Sequence, residues 1–411
     1  MPDGGIHNNM DMNMKHKSLL GALLVALLVL SGCAVTIEKP SLSLTKISAG
    51  EYPLFVDDLD IETLETAIGE SLEYYARLPE DRIVYFGTDS FTVGELKESL
   101  VEFAAIMKSA ESPKTRNRRL RKSFDVYRAS GNDGEGTVLF TGYYAPILKG
   151  SLSRDSVYRY PIYRTPPDHI VINLEMFHSK FKGERVVARY EDGTVMPYYT
   201  REDIDAKGVL DGEGLEIAWL SDPVDLFFLH IQGSGIIHLA DGRLIRVSYE
   251  RSNGHPYRSI GRYLVDRGKV SLEDISLKSI KKYLNRHPEE VPEVLNYNKS
   301  YVFFRIVEEG PVGSLNVPVT PGRTIATDSI RFPKGALAFI RTKKPSVDEN
   351  GRIVSWSSFS RFVLNQDTGG AIKGPGRVDL FCGSGMYAET MAGHLKETGE
   401  LYFLVKRKPE N

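Results

Sequence analysis

Cysteine is nearly absent: two residues, Cys33 and Cys382, occur in 411. A disulfide framework is therefore excluded, and no bridge can form within the chain once either thiol is modified. Beyond the N-terminal leader the chain also lacks any apolar run of about 18 residues, so no later segment is expected to span a bilayer. Excess charge is missing too. A formal net charge of −2 leaves no general basic surface, and nucleic acid is not expected as a partner. The nine histidines are scattered without ligand spacing, so neither a metal site nor a cofactor is expected. There is no internal repeat and no low-complexity segment. What remains, with 41% hydrophobic and 10% aromatic residues, is an ordinary globular composition long enough for two domains. The 21 tyrosines suit stacking on sugars, although tyrosine is also a common strand residue.

The N-terminus reads as a targeting segment. Met14-Lys15-His16-Lys17 is basic, and Leu19 to Leu30 is apolar except for Gly21. This run is too short to cross a membrane and fits a signal-peptide core. It ends in Leu30-Ser31-Gly32-Cys33, the pattern of a bacterial lipoprotein cleavage site in which Cys33 becomes the lipidated first residue. Ala34 in place of an acid after the cysteine points to the periplasmic face of the outer membrane of a Gram-negative bacterium. Residues 34 to about 50 form a polar tether.

Along the mature chain, Asp60 to Arg77 places Ile61, Leu64, Ile68, Leu72 and Tyr75 at helical spacing. Phe91 to Met107 reads as a second helix with Thr92 as cap and Glu95 reaching back. The basic stretch Pro113 to Lys122 reads as a solvated helix face. Phe124–Tyr127 and Thr137–Tyr144 read as strands paired across the glycine-rich turn 131–136. Phe227 to Ile231 reads as a buried strand leading into Gln232-Gly233-Ser234-Gly235. Ile236–Leu239 and Arg243–Tyr249 flank Asp241-Gly242 as a hairpin. Pro256 to Arg267 reads as a short helix closed by Gly268, and Ser276 starts another that stops before Pro288. After Asn298 strands return at Tyr301–Val307, Ala336–Arg341, Val354–Leu364, Arg377–Phe381 and Glu400–Lys406. Many strands with few helices point to a closed barrel.

The stretch with the most chemistry is Arg361 to His394. Asp367 precedes the turn Gly369-Gly370-Ala371-Ile372-Lys373-Gly374, and Asp379 sits inside Val378-Asp379-Leu380-Phe381. An acid within an apolar strand is costly, because strands deplete Asp and burial penalises its charge. The segment Asp367-Thr-Gly-Gly-Ala-Ile-Lys-Gly374 with Val378-Asp379-Leu380-Phe381 resembles the three-aspartate C-terminal segment of the membrane-bound lytic murein transglycosylase A family. The resemblance continues in Phe140-Thr-Gly-Tyr-Tyr144, His230-Ile-Gln-Gly-Ser-Gly235 and Asn253-Gly-His-Pro-Tyr-Arg-Ser-Ile-Gly261. Two departures are visible: one extra residue precedes Asp379, and His230 stands where the family has an acid.

The resemblance implies a mainly β fold. A double-psi β-barrel would be built from residues 34–144 and 299–411, an inserted β-domain would span 145–298, and the substrate groove would lie between them. It implies a peptidoglycan lytic transglycosylase, a carbon–oxygen lyase acting on polysaccharide. Such an enzyme cleaves the β-1,4 bond between N-acetylmuramic acid and N-acetylglucosamine and leaves a 1,6-anhydro sugar. Asp379 would be the single acid/base, with Asp367 and Asp328 as the other two family aspartates. Thr141, Tyr143, Tyr144, Gln232, Gly233, Ser234, Gly235, Tyr257, Arg258, Gly370 and Lys373 would meet the glycan. Adjacent strand residues face opposite ways, so one of Tyr143 and Tyr144 is expected to pack inside. Partners would be peptidoglycan strands, the membrane through Cys33, and complexes with other cell-wall enzymes. Two other readings stand beside this one: a non-catalytic peptidoglycan-binding lipoprotein, and a cell-wall peptidase with Cys382 as nucleophile and His394 as base.

Overall fold

Val138–Ala145 is the strand on which a barrel closes. It pairs in parallel with Arg377–Ser384 on one side and antiparallel with Lys396–Lys406 on the other. From Lys396–Lys406 the ring runs through Leu337–Val347, Ile353–Asp367 and Thr324–Ala326 back to Arg377–Ser384. Six strands thus close with no free edge in the ring. This computed structural model describes residues 43–408; Cys33 and the apolar run before it lie outside the described residues.

Alternation along the strands builds the barrel core. Val138, Phe140, Phe339, Phe362, Leu364, Val378, Leu380 and Phe403 are buried in one cluster. Each such side chain contributes about 1.5–3 kcal/mol on leaving water. The helices Ile61–Ala76 and Val93–Lys108 add Leu64, Ile68, Leu96, Leu100 and Phe103 to the same cluster. Their starts follow the local sequence. Asp60 caps the first through Thr63 N–H, and Thr92 and Glu95 form the expected capping box. No helix among the described residues is long and apolar enough to cross a membrane.

A second sheet of six strands lies between the two halves of the barrel in sequence. Its order is Val302–Val307, Leu244–Ser252, Ser234–Leu239, Ile147–Ser151, Glu216–Leu220 and Tyr160–Tyr163. Only Pro146 separates barrel strand Val138–Ala145 from Ile147–Ser151 of this sheet. The expected hairpin appears as Ser234–Leu239 against Leu244–Ser252, with Gly242 at positive φ in its turn.

Five expectations change. The stretch expected as a polar tether to about residue 50 includes strand Leu44–Lys46, which pairs with Phe124–Ala129 and buries Leu44. Phe227 to Ile231 is not a strand; it lies in helix Pro223–Gln232. Asp222 caps that helix, Pro223 opens it and left-handed Gly233 closes it. A short apolar run alone does not separate a buried strand from a buried helix. Phe124–Ala129 and Val138–Ala145 do not pair with each other; both pair with Lys396–Lys406. The long C-terminal strand pairs with each over a different stretch, 402–406 with the first and 396–399 with the second. Val302–Val307 joins the second sheet by pairing with Leu244–Ser252, although a boundary at residue 299 places it with the barrel. The helix expected from Pro256 starts at Ile260, where Ser259 supplies the cap.

Candidate active site

Asp379 stands directly opposite Thr141 in the parallel ladder that closes the barrel. Its neighbours Val378 and Leu380 point into the core at 0% exposure. Alternation therefore sends Asp379 to the other face, where it opens onto a groove between the barrel and the second sheet. Thr141 Oγ1 donates to Asp379 Oδ1 at 2.7 Å. The residue is half-buried at the groove wall. Desolvation pushes its pKa up to about 6; the Thr141 bond and Arg377 act downward, and the charge of Asp367 adds upward.

Asp367 ends the long strand Ile353–Asp367 and faces the same groove. Its Oδ1 accepts from Ser314 N–H and Thr368 N–H, both at 2.8 Å. Its Oδ2 accepts from the Tyr143 hydroxyl at 2.8 Å. Burial raises its pKa while these donors favour the ionised form. Both oxygens are engaged by groups of the protein itself.

Asp328 has a different place. It is 5% exposed, and its Oδ2 accepts from Gly374 N–H at 2.8 Å. Oδ1 accepts from Ile330 N–H at 3.2 Å, and Arg331 Nε lies 3.7 Å from Oδ2. It hydrogen-bonds to neither of the other acids and instead anchors the end of the glycine-rich loop, where Gly374 takes a φ of +87°.

The groove encloses about 790 Å³. Of the residues expected to meet substrate, Tyr143, Gln232, Gly233, Ser234, Tyr257, Gly370 and Lys373 line it. Thr141 lies behind Asp379. Tyr144 turns away, as alternation requires: its hydroxyl donates to Glu389 at 3.3 Å and its backbone N–H to Gln232 Oε1 at 2.9 Å. Gly235 and Arg258 do not line the groove. A Cβ on Gly235 would come within 2.5 Å of Leu229 Cδ1, so this glycine serves close packing. Arg258 lies 5.8 Å from the Tyr297 ring instead.

Arg201 and His230 also line the groove; His230 heads the motif noted above, while local sequence gives Arg201 no role there. Arg201 is buried at 1% exposure and its Nη2 lies 3.0 Å from His230 Nδ1. A guanidinium only donates, so Nδ1 accepts and the imidazole proton sits on Nε2. Burial, reinforced by the Arg201 charge, holds the His230 pKa well below its usual value. In sequence Arg201 merely follows a helix cap, Thr200, and nothing nearby marks it as buried.

Cys382 and His394 do not form a nucleophile and base. The thiol donates to Leu380 O at 3.4 Å, His394 Nδ1 pairs with Thr390 O at 2.8 Å, and no hydrogen bond joins the two side chains among the described residues. Burial pushes the thiol pKa far up, and the Asp379 charge adds to this. Cys382→Ala is expected to keep most of the activity, as measured by muropeptide release; a folded but inactive variant would restore the thiol reading. His287, Glu289 and Glu290 bring potential metal ligands within 4.8 Å of one another. Both Glu290 oxygens are already taken, by Lys269 Nζ at 2.9 Å and the Tyr283 hydroxyl at 2.6 Å.

Residues 139–305 match the family model described as the MltA specific insert domain, and residues 323–405 match the 3D domain. The chain is 34% identical over 293 residues to membrane-bound lytic murein transglycosylase A of Escherichia coli K12, covering 71% of each protein. It is 34% identical over 279 residues to the Vibrio cholerae protein of the same name, covering 67% of each. Among solved structures, a membrane-bound lytic murein transglycosylase from Agrobacterium tumefaciens superposes with a TM-score of 0.74 at 33% identity, covering 89% of this chain and 98% of that one. E. coli MltA with bound chitohexaose superposes with a TM-score of 0.68 at 25% identity, covering 90% and 96%. By both fold and sequence, the chain belongs to the membrane-bound lytic murein transglycosylase A family.

Proposed function

We propose that this protein cleaves the β-1,4 bond between N-acetylmuramic acid and N-acetylglucosamine in peptidoglycan, with Asp379 as its single acid and base. One contrast carries the reading. Asp379 keeps an oxygen, Oδ2, without a protein partner among the described residues, while both oxygens of Asp367 are occupied. A hydrolase with two working carboxylates needs the second to activate water or attack the sugar. Here that second group is tied up, so the nucleophile must come from elsewhere.

The C6 hydroxyl of the muramic residue meets that need. Protonated Asp379 gives its proton to the glycosidic oxygen as the bond to C1 breaks. The resulting carboxylate then takes the proton of the C6 hydroxyl as that oxygen bonds to C1. The product is a 1,6-anhydro ring, and Asp379 ends protonated again. Attack within one sugar residue replaces capture of a water molecule.

A pKa near 6 suits both transfers. The sign follows from the first step, which needs the acid form. Activity is expected to fall on the alkaline side of about pH 6 as Asp379 ionises in the free enzyme. Gln232 at the end of helix Pro223–Gln232, Ser234 on the second sheet and Tyr257 in the loop before Ile260 would bind from one side, and Gly370 and Lys373 from the glycine-rich loop that Asp328 anchors. The pairing of Val302–Val307 supports moving the return to the barrel domain past residue 307.

The test is digestion of purified sacculi followed by mass spectrometry of the released muropeptides. Anhydro-terminated products support the reading; reducing ends would identify a hydrolase, and binding without release would identify a non-catalytic peptidoglycan lipoprotein.

The relatives are named membrane-bound, and Leu30-Ser31-Gly32-Cys33 supplies a means for this chain. We infer a lipid anchor at Cys33 on the periplasmic face of the outer membrane. Cys33→Ser is expected to abolish incorporation of labelled palmitate and release a soluble periplasmic form, because stable anchoring takes more than one acyl chain. Continued labelling of the variant would refute the anchor.

A further inference from the structure

Arg377 has no step in the reaction above. It lies two positions before Asp379 on one strand, so alternation places both side chains on one face, opposite Leu139 and Thr141. Its Nη2 donates to Thr141 Oγ1 at 3.3 Å. Its Nε–H is buried with no partner among the described residues. The guanidinium is thus not tied into a network of its own, and its single hydrogen bond ends on the hydroxyl that touches Asp379.

Donor logic fixes what this contact does. Arginine cannot accept, so the Thr141 oxygen must accept from it, and the lone hydroxyl proton must point elsewhere. Two acceptors lie in reach: Asp379 Oδ1 at 2.7 Å and the Val378 carbonyl at 3.5 Å. The shorter bond wins. Resting on the acid/base role given to Asp379, we propose that Arg377 is a positioning residue that works through Thr141. It turns the threonine hydroxyl onto Oδ1 and leaves Oδ2 as the oxygen that carries the transferred proton.

The charge of Arg377 has a second effect. Around the Asp379 carboxyl lie Arg377 and Cys382 on its own strand, Tyr143 on Val138–Ala145, and Asp367 on Ile353–Asp367. Thr324–Ala326, its other strand neighbour, holds no titratable group. On the packed helix Gly385–His394, Glu389 and His394 are engaged with Tyr144 and the Thr390 carbonyl, and Tyr387 is held neutral by burial. Among the described residues, Arg377 is the cation whose charge opposes burial and Asp367, both of which favour the protonated acid. Removing it should extend protonation to higher pH.

The experiment compares Arg377→Met, Arg377→Lys, Thr141→Val and the double variant in muropeptide release across pH. In parallel, the Asp379 carboxyl is titrated by carbon-13 NMR, as the signal absent from Asp379→Asn. Arg377→Met is expected to lose about tenfold or more in kcat/KM and to move the alkaline limb up by about one pH unit. Arg377→Lys should restore the limb. The double variant should be no slower than Thr141→Val, since one residue acts through the other. Should Arg377→Met fail to fold, Arg377→Gln removes the charge and keeps a donor. A folded neutral variant with reduced rate but an unmoved limb and carboxyl titration would overturn the proposal. So would losses that multiply in the double variant. If wild-type protein releases no anhydro product, the assigned reaction fails, while the NMR titration still decides what Arg377 does to Asp379.

Discussion

Asp379→Asn is expected to lower release of anhydro-muropeptides by about 10⁴-fold or more while sacculus binding survives. The amide keeps the size of the side chain and neither gives nor takes the proton. General acid–base catalysis usually contributes about 10²- to 10⁴-fold, and one group here performs both transfers, which places the loss at the upper end or beyond. Binding should persist because other residues form the groove. Asp367→Asn should cost less. It removes the charge that raises the Asp379 pKa and puts an NH₂ group where three donors now converge. The Ser314 and Thr368 loops would loosen, and the alkaline limb should move down. Circular dichroism checks folding and sedimentation with sacculi checks binding. Near wild-type rates for folded Asp379→Asn, with Asp367→Asn inactive, would exchange the two roles.

Arg323→Met should have the largest effect on stability, about 3–5 kcal/mol, the usual cost of breaking a buried ion pair. Arg323 is 0% exposed. Its Nη1 donates to Asp57 Oδ2 at 2.7 Å and to Phe362 O at 2.8 Å, its Nη2 to Asp60 O at 2.7 Å, and its Nε to Thr63 Oγ1 at 3.1 Å. One side chain thus joins the start of helix Ile61–Ala76 to barrel strand Ile353–Asp367. Methionine fills much of the volume but leaves Asp57, Asp60 O and Phe362 O without that donor. Asp57 keeps two backbone donors, from Leu59 and Phe362, which sets the expectation toward the lower end of the range. The denaturant midpoint should drop with little change in slope. Activity per folded molecule should hold, since Arg323 does not line the groove. An unchanged midpoint would mean that these bonds contribute little net stability.

Elements whose signals lie within a few residues are legible in the sequence. The caps at Asp60, Thr92 and Ser276 sit close along the chain to the groups they satisfy, so propensity and hydrogen bonding act inside one short window. The hairpin around Gly242 is likewise local. Alternation around Asp379 shows as an acid between apolar neighbours, because the period of two is a property of the strand itself. Helix Pro223–Gln232 reads wrongly as a strand for a related reason. Leu226, Phe227, Phe228 and Leu229 are all buried, so the apolar run shows no helical period.

The chain's own order of residues determined the leader pattern at Cys33, the helix starts at Asp60, Thr92 and Ser276, most of the strand segments and the presence of an acid in an apolar strand beside a glycine-rich turn. Those follow from dihedral preferences and contacts between near neighbours. Only the tertiary structure decided that Phe124–Ala129 and Val138–Ala145 both pair with Lys396–Lys406, that Val302–Val307 belongs to the second sheet, and that Asp328 holds Gly374 while Asp367 is filled by Tyr143, Ser314 and Thr368. Apart from Thr368, these partners lie tens to hundreds of residues apart in sequence. Their pairing is set by closing a barrel without free edges and by burying polar groups only where donors meet acceptors, and neither condition leaves a trace in a local window.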